Sequence, residues 1–202
     1  MTGAAPEAEP PMGRLAARLY DRQLSLERPA LRAALALARP EPRDHLLDVA
    51  TGTGALLREL ATRSERPARA VGIDASDAML ARVGGLPRGW TLRRADASAL
   101  PFADQSFDLV TAVYLLHTLD PVTRATVSAE LRRVVREGGR VVTVTVATPR
   151  PRLRRLMSRV PRRHGLCPLD PSRELEGLVV REARYVRRGY PSLCLRAERP
   201  AR

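Results

Sequence analysis

Three aspartates stand at the ends of three successive strand-like segments of the chain, the first two of them apolar. They are Asp48 in Leu46-Leu47-Asp48-Val49-Ala50-Thr51-Gly52-Thr53-Gly54, Asp74 in Val71-Gly72-Ile73-Asp74, and Asp96 in Leu92-Arg93-Arg94-Ala95-Asp96-Ala97. An ionised carboxylate is a pure acceptor with about four lone-pair sites, so one of them can take both hydroxyls of a ribose diol or the amine of a base. The glycines after Asp48 let the backbone turn sharply and approach a ligand with no Cβ in the way. Carboxylates at consecutive strand ends beside such a turn describe a nucleoside-shaped site at the edge of a parallel sheet.

The turn admits several nucleotide ligands, and its surroundings narrow them. A dinucleotide fingerprint wants a third small residue three places after the second glycine; that place is Leu57. No Gly-Lys-Ser/Thr follows the turn, so a P-loop is excluded as well. Asp74 suits a ribose diol, and Asp96 suits an exocyclic adenine amine. Asp48 either meets an amino group, through water, or only orients the glycine turn. A ligand with an amino acid end, a ribose and an adenine, but no pyrophosphate, is S-adenosylmethionine.

Four blocks carry a resemblance to a known family: Leu47-Asp48-Val49-Ala50-Thr51-Gly52-Thr53-Gly54; Val71-Gly72-Ile73-Asp74-Ala75-Ser76-Asp77-Ala78-Met79-Leu80; Asp96-Ala97-Ser98-Ala99-Leu100-Pro101-Phe102 with Ser106-Phe107-Asp108-Leu109-Val110; and Glu130-Leu131-Arg132-Arg133-Val134-Val135-Arg136-Glu137-Gly138-Gly139-Arg140. From about Leu46 to Thr148 the chain resembles the class I S-adenosylmethionine-dependent methyltransferases, in the broad small-molecule group that includes the ubiquinone/menaquinone-biosynthesis methyltransferases. The resemblance implies an enzyme that binds S-adenosyl-L-methionine, releases S-adenosyl-L-homocysteine, and methylates a small organic acceptor at O, C or N. A quinone precursor, a lipid and a natural-product phenol all suit it. It places cofactor contacts at Tyr20, Asp48, Ala50, Thr51, Gly52, Thr53, Gly54, Asp74, Ala75, Met79, Asp96, Ala97 and Val113. Tyr20-Asp21 matches an aromatic-acid pair of the leading helix; covering the cofactor and packing helix on sheet are equal alternatives for Tyr20. Met79 and Val113 have core packing as their competing role. His117, in Leu115-Leu116-His117-Thr118, is the one candidate general base. Its counterparts accompany different acceptors, so an orienting role competes with base catalysis. No metal site is expected: Cys167 and Cys194 fit no ligand spacing.

Strands alternating with helices must position these residues, which predicts a Rossmann-like, doubly wound α/β sheet of about seven strands, mostly parallel with a C-terminal antiparallel hairpin. Two leading helices are expected over residues 12–38, the second opened by Pro29. Strands follow at about His45–Ala50, Ala70–Asp74, Trp90–Ala95, Phe107–Tyr114 and Arg140–Val146. Helices are expected at Gly54–Arg63, at Asp77 to about Val83 capped by Ser76, and from Pro121 to Arg136, ended by Gly138-Gly139. Val179–Arg187 and Ser192–Glu198 read as the hairpin. The domain reading is a disordered tail at 1–11 and a single domain at 12–202. That domain divides into helices to 44, a cofactor core at 45–148, a basic substrate-side segment at 149–178, and the hairpin at 179–202.

The chain has 202 residues and a net charge of +13, and every basic side chain is arginine. Residues 149–202 hold 15 arginines against 5 acids, so most of the excess lies there. That charge suits an anionic or membrane-associated acceptor. Scarce aromatics in the basic region, and Val113-Tyr114-Leu115-Leu116 where nucleic-acid amino-methylating enzymes carry Asn/Asp-Pro-Pro-aromatic, disfavour nucleic acid. An RNA-modifying enzyme and a non-catalytic binding protein of the same fold remain as alternatives. The short 149–178 segment leaves room for completion of the pocket by a second subunit, as in a homodimer. No signal-like or membrane-spanning run is seen, and a cytoplasmic location is expected.

Overall fold

Leu46, Leu47 and Val49 of the first strand are all fully buried, as a strand covered on both faces requires. The computed structural model describes residues 14–146 and 175–201. In chain order the elements are α1 (Arg14–Ala38), β1 (His45–Val49), α2 (Ala55–Ala61), β2 (Arg69–Asp74), α3 (Asp77–Leu80), β3 (Trp90–Arg94), β4 (Phe107–Val113), α4 (Pro121–Val134), β5 (Val135–Val146), β6 (Val179–Val186) and β7 (Ser192–Glu198). The seven strands form one sheet in the order β3-β2-β1-β4-β5-β7-β6. β3, β2, β1, β4 and β5 run parallel; β7 is antiparallel to β5 and to β6. The strand order reverses between β1 and β4, and in such sheets ligands bind outside the carboxyl ends at that switch point.

One face of the sheet packs on α1 and α2 through Leu31, Leu35, Leu37, Leu57 and Leu60. The other packs on α4 through Val127, Leu131 and Val134, against Leu47, Val110 and Val141. Gly72 lets α2 lie close: a Cβ there would come within 2.8 Å of Leu57 Cδ1 and 3.0 Å of Leu92 Cδ2. The bulky residue at position 57 thus fits because the glycine is on the strand rather than on the helix.

The leading segment differs from its sequence reading. Residues 14–38 form a single helix with Pro29 inside it, not two helices. An interior proline removes one backbone hydrogen bond and costs about 3 kcal/mol. Burial of the face carrying Ala30, Leu31, Ala34, Leu35 and Ala38 offsets this. Nor does Gly138-Gly139 end α4. That helix stops at Val134, and Val135 is already extended (φ −75°, ψ 134°). The glycines lie in the irregular start of β5, where the register with β4 shifts between Phe107 and Leu109. The end of α4 is capped instead by Arg199, whose guanidinium donates to the carbonyls of Arg132, Arg133 and Val135 at 2.9, 3.3 and 3.0 Å. α2 and α3 are shorter than expected, ending at Ala61 and Leu80. The 1–11 tail and most of the basic 149–178 segment lie outside the described residues.

Candidate functional site

The carboxyl end of β1 runs directly into the glycine turn. Ala50 and Gly52 both take left-handed φ values of 56°, and Gly54 takes 78°. A buried brace holds this shape. Asp48 accepts from Thr51 Oγ1 on one side-chain oxygen and from Thr111 Oγ1 on the other, both at 2.7 Å. Asp48 is 2% exposed, and burial, with the Asp74 charge adding to it, pushes its carboxyl up to about 6 against the pull of the two hydroxyls. Its two oxygens are therefore turned to threonines of the turn and of β4. Thr111 was not singled out in the sequence; the available signal is a polar residue inside the apolar strand Phe107–Val113.

Asp74, at the end of β2, reaches back to the same turn. One carboxylate oxygen accepts the Gly52 N–H at 2.9 Å and the other accepts the Ser76 N–H at 2.9 Å. The Thr51 N–H donates to the Ile73 carbonyl at 2.8 Å, which closes the link between turn and strand. Each Asp74 oxygen has lone-pair capacity beyond its one backbone bond. Ser76 also caps α3, its hydroxyl accepting from Met79 N at 3.3 Å. Asp96 follows β3, joined to β2 by Ala95 N–H to Asp74 carbonyl at 3.1 Å. One Asp96 oxygen accepts both the N–H and the hydroxyl of Ser98 at 2.8 Å, and these bonds hold its carboxyl below the ordinary range.

The turn, Asp74 and Asp96 thus stand at three neighbouring strand ends. Of the flanking residues, Ala75 is exposed, while Ala50, Met79, Ala97 and Val113 are half-buried; Thr51, Thr53 and Gly54 are buried. Val113 packs on the α1-side core cluster. Tyr20 lies within α1, and its side chain is outside the described ones.

The end of β4 carries a second group of polar side chains. Tyr114 holds a left-handed φ of 57°, with its N–H bonded to the Val144 carbonyl at 2.7 Å. Its hydroxyl lies 2.8 Å from Ser192 Oγ, which itself donates to the Tyr190 carbonyl at 2.7 Å, so Tyr114 is the donor to Ser192. Burial raises the Tyr114 phenol to about 12. His117, in a short 3-10 turn from Leu116 to Thr118, meets the Tyr114 ring edge-on at 6.0 Å between centroids. It is 6% exposed, and its Nδ1 has no hydrogen-bond partner among the described residues. Burial first, then the Arg124 charge, lowers its pKa, so the imidazole is neutral near pH 7.

These residues fit S-adenosylmethionine. A Cβ on Gly52 would meet nothing within 4 Å, so the space over the turn is open to a ligand. Asp74 faces that turn with acceptor capacity to spare, and no Gly-Lys-Ser/Thr phosphate cradle is present.

Comparison with known proteins agrees. A methyltransferase-domain family model matches residues 46–139. The ubiquinone/menaquinone biosynthesis C-methyltransferase UbiE of Geobacter sulfurreducens is 38% identical over 114 residues, covering 54% of this chain and 44% of that one. The demethylmenaquinone methyltransferase of Roseiflexus castenholzii is 39% identical over 131 residues, covering 63% and 53%. The chain spans about half the length of these curated relatives. Among solved structures, the complex between the Haloferax volcanii Trm112 methyltransferase activator and a putative methyltransferase matches with a TM-score of 0.74 at 16% identity, covering 92% and 96% of the two chains. With the seven-stranded sheet and the braced glycine turn, these matches make the chain similar, over residues 46–139, to the class I S-adenosylmethionine-dependent methyltransferases.

Proposed function

We propose that the protein transfers a methyl group from S-adenosylmethionine to a small hydroxylated aromatic or quinol-type acceptor. The observation that carries the cofactor half is the Asp74 carboxylate, oriented by the Gly52 and Ser76 N–H groups beside an open glycine turn. The acceptor half rests on the quinone-pathway names of the relatives. Asp74 would hold the ribose and Asp96 the adenine amine. Ala50, Thr51, Gly52, Thr53 and Gly54 would line the amino acid end, with Ala75, Met79, Ala97, Val113 and Tyr20 around the base and sulfur. When bound, S-adenosylmethionine supplies an electrophilic methyl on a sulfonium.

What remains for the protein is to align the acceptor and keep water out, and such positioning supplies much of the acceleration in displacement reactions. The attacked carbon or oxygen of a phenol-like acceptor gains nucleophilicity as its hydroxyl proton departs. Neutral His117 is equipped to take that proton or to accept a hydrogen bond from the hydroxyl. The test is transfer of labelled methyl to a panel of quinols and phenols. Product with the intact protein, and none with Asp74→Ala, is expected; no transfer to any of them overturns the acceptor class. For His117→Ala, a loss of turnover of about a hundredfold or more with a lost acidic pH limb marks a base. Near-normal turnover removes it from the chemistry.

A further inference from the structure

The β6–β7 hairpin presents its tip at the same sheet edge as the cofactor site. The last pairs of the ladder are Val146 with Ser192 and Val186 with Ser192, so residues 187–191 project past the carboxyl end of β5. The hydrogen bond from Tyr114 to Ser192 ties the base of the tip to the end of β4. The tip is also fastened to α1: Tyr190 N–H donates to the Leu26 carbonyl at 3.0 Å. Gly189 (φ 73°) passes so close that a Cβ there would lie 2.0 Å from that oxygen.

The chemistry of this corner differs from that of the strands behind it. Arg181 and Arg196 are engaged by Glu198 and Glu182. Arg184, Arg187 and Arg188 are exposed and have no carboxylate partner among the described residues. Beside them, Leu26 and Tyr190 leave large apolar surfaces in solvent, at 42% and 40% exposure. Uncompensated guanidinium groups suit phosphate, and a tyrosine and a leucine on a fixed backbone suit the layer between headgroup and acyl chain. Two tyrosines, Tyr185 and Tyr190, are a sparse platform for stacking successive bases, which makes nucleic acid the weaker match.

We propose that the hairpin tip and the adjoining turn of α1 form a docking surface for an anionic lipid membrane. It sets the acceptor-facing edge of the sheet against the bilayer. The surface is independent of the acceptor reading, because adsorption needs neither cofactor nor acceptor. The experiment is co-sedimentation of the full chain with phosphatidylcholine vesicles, with and without about 30% phosphatidylserine. Each arginine at an anionic surface is worth about fivefold in adsorption. Binding to the anionic vesicles only is expected, weakened at least about tenfold by Arg187→Glu with Arg188→Glu. Tyr190→Ser, which leaves the charge unchanged, is expected to weaken it a few-fold. Equal adsorption to neutral vesicles, or anionic binding that survives the double reversal in a folded variant, overturns the proposal.

Discussion

Replacing Asp48 by asparagine tests whether the glycine turn is held by a buried carboxyl that resists ionisation. The rise of its pKa from 3.8 to about 6 corresponds to about 3 kcal/mol. Below pH 3.8 the group is protonated in both folded and unfolded chains and has no effect on the pH dependence of folding. Between 3.8 and about 6 the folded chain holds the proton more tightly, so stability falls as pH rises. Above about 6 the group is ionised in both states and the loss is complete. An asparagine side chain has nearly the same shape and no such titration. It leaves the two threonine hydroxyls to re-pair, a pH-independent offset of about 1 kcal/mol each. The assay is urea unfolding of both proteins from about pH 4 to about pH 7.5, taking the difference at each pH so that other groups cancel. The stability of Asp48→Asn relative to the native chain is expected to improve by about 2.5 kcal/mol across that range. A difference that stays flat to within about 1 kcal/mol refutes the buried-carboxyl reasoning, whatever its absolute value.

Three further substitutions probe the site and its support. Gly52→Ala meets open space but keeps a left-handed φ, so thermal unfolding is expected to show a loss of only about 1 kcal/mol while cofactor affinity drops. Thr111→Val removes one of the two donors to the Asp48 carboxylate; a loss of about 1–3 kcal/mol near neutral pH is expected, shrinking as the carboxyl protonates in acid. Gly189→Ala forces a Cβ onto the Leu26 carbonyl and should cost more than about 2 kcal/mol, read by urea unfolding, through clash and left-handed strain together.

The strand ends were legible because Asp48 and Asp74 each interrupt an apolar run, Asp96 follows the next short strand, and the glycines of the turn have a backbone reason to be there. The doubly wound sheet and its terminal hairpin were legible from the alternation of strands and helices; the strand order was not read from the sequence. What tertiary contact decides was less legible. Pro29 reads as a helix start, and only the buried face on both sides of it carries α1 through as one helix. Gly138-Gly139 reads as a helix stop, yet Arg199, more than sixty residues on, caps α4. The role of Thr111 depends on β4 lying beside β1. Tyr114 in a left-handed conformation has no local sequence signal, because the bond that holds it comes from Val144 on the neighbouring strand.

The most direct test of the central claim is calorimetric titration of the protein with S-adenosylhomocysteine, with Asp74→Ala alongside. The account predicts one saturable site per chain in the native protein. It predicts that a folded Asp74→Ala variant loses that binding, because the proposed ribose acceptor and the anchor of the Gly52 N–H go together. A folded native protein that takes up no S-adenosylhomocysteine, or an Asp74→Ala variant that binds as tightly as the native chain, contradicts it.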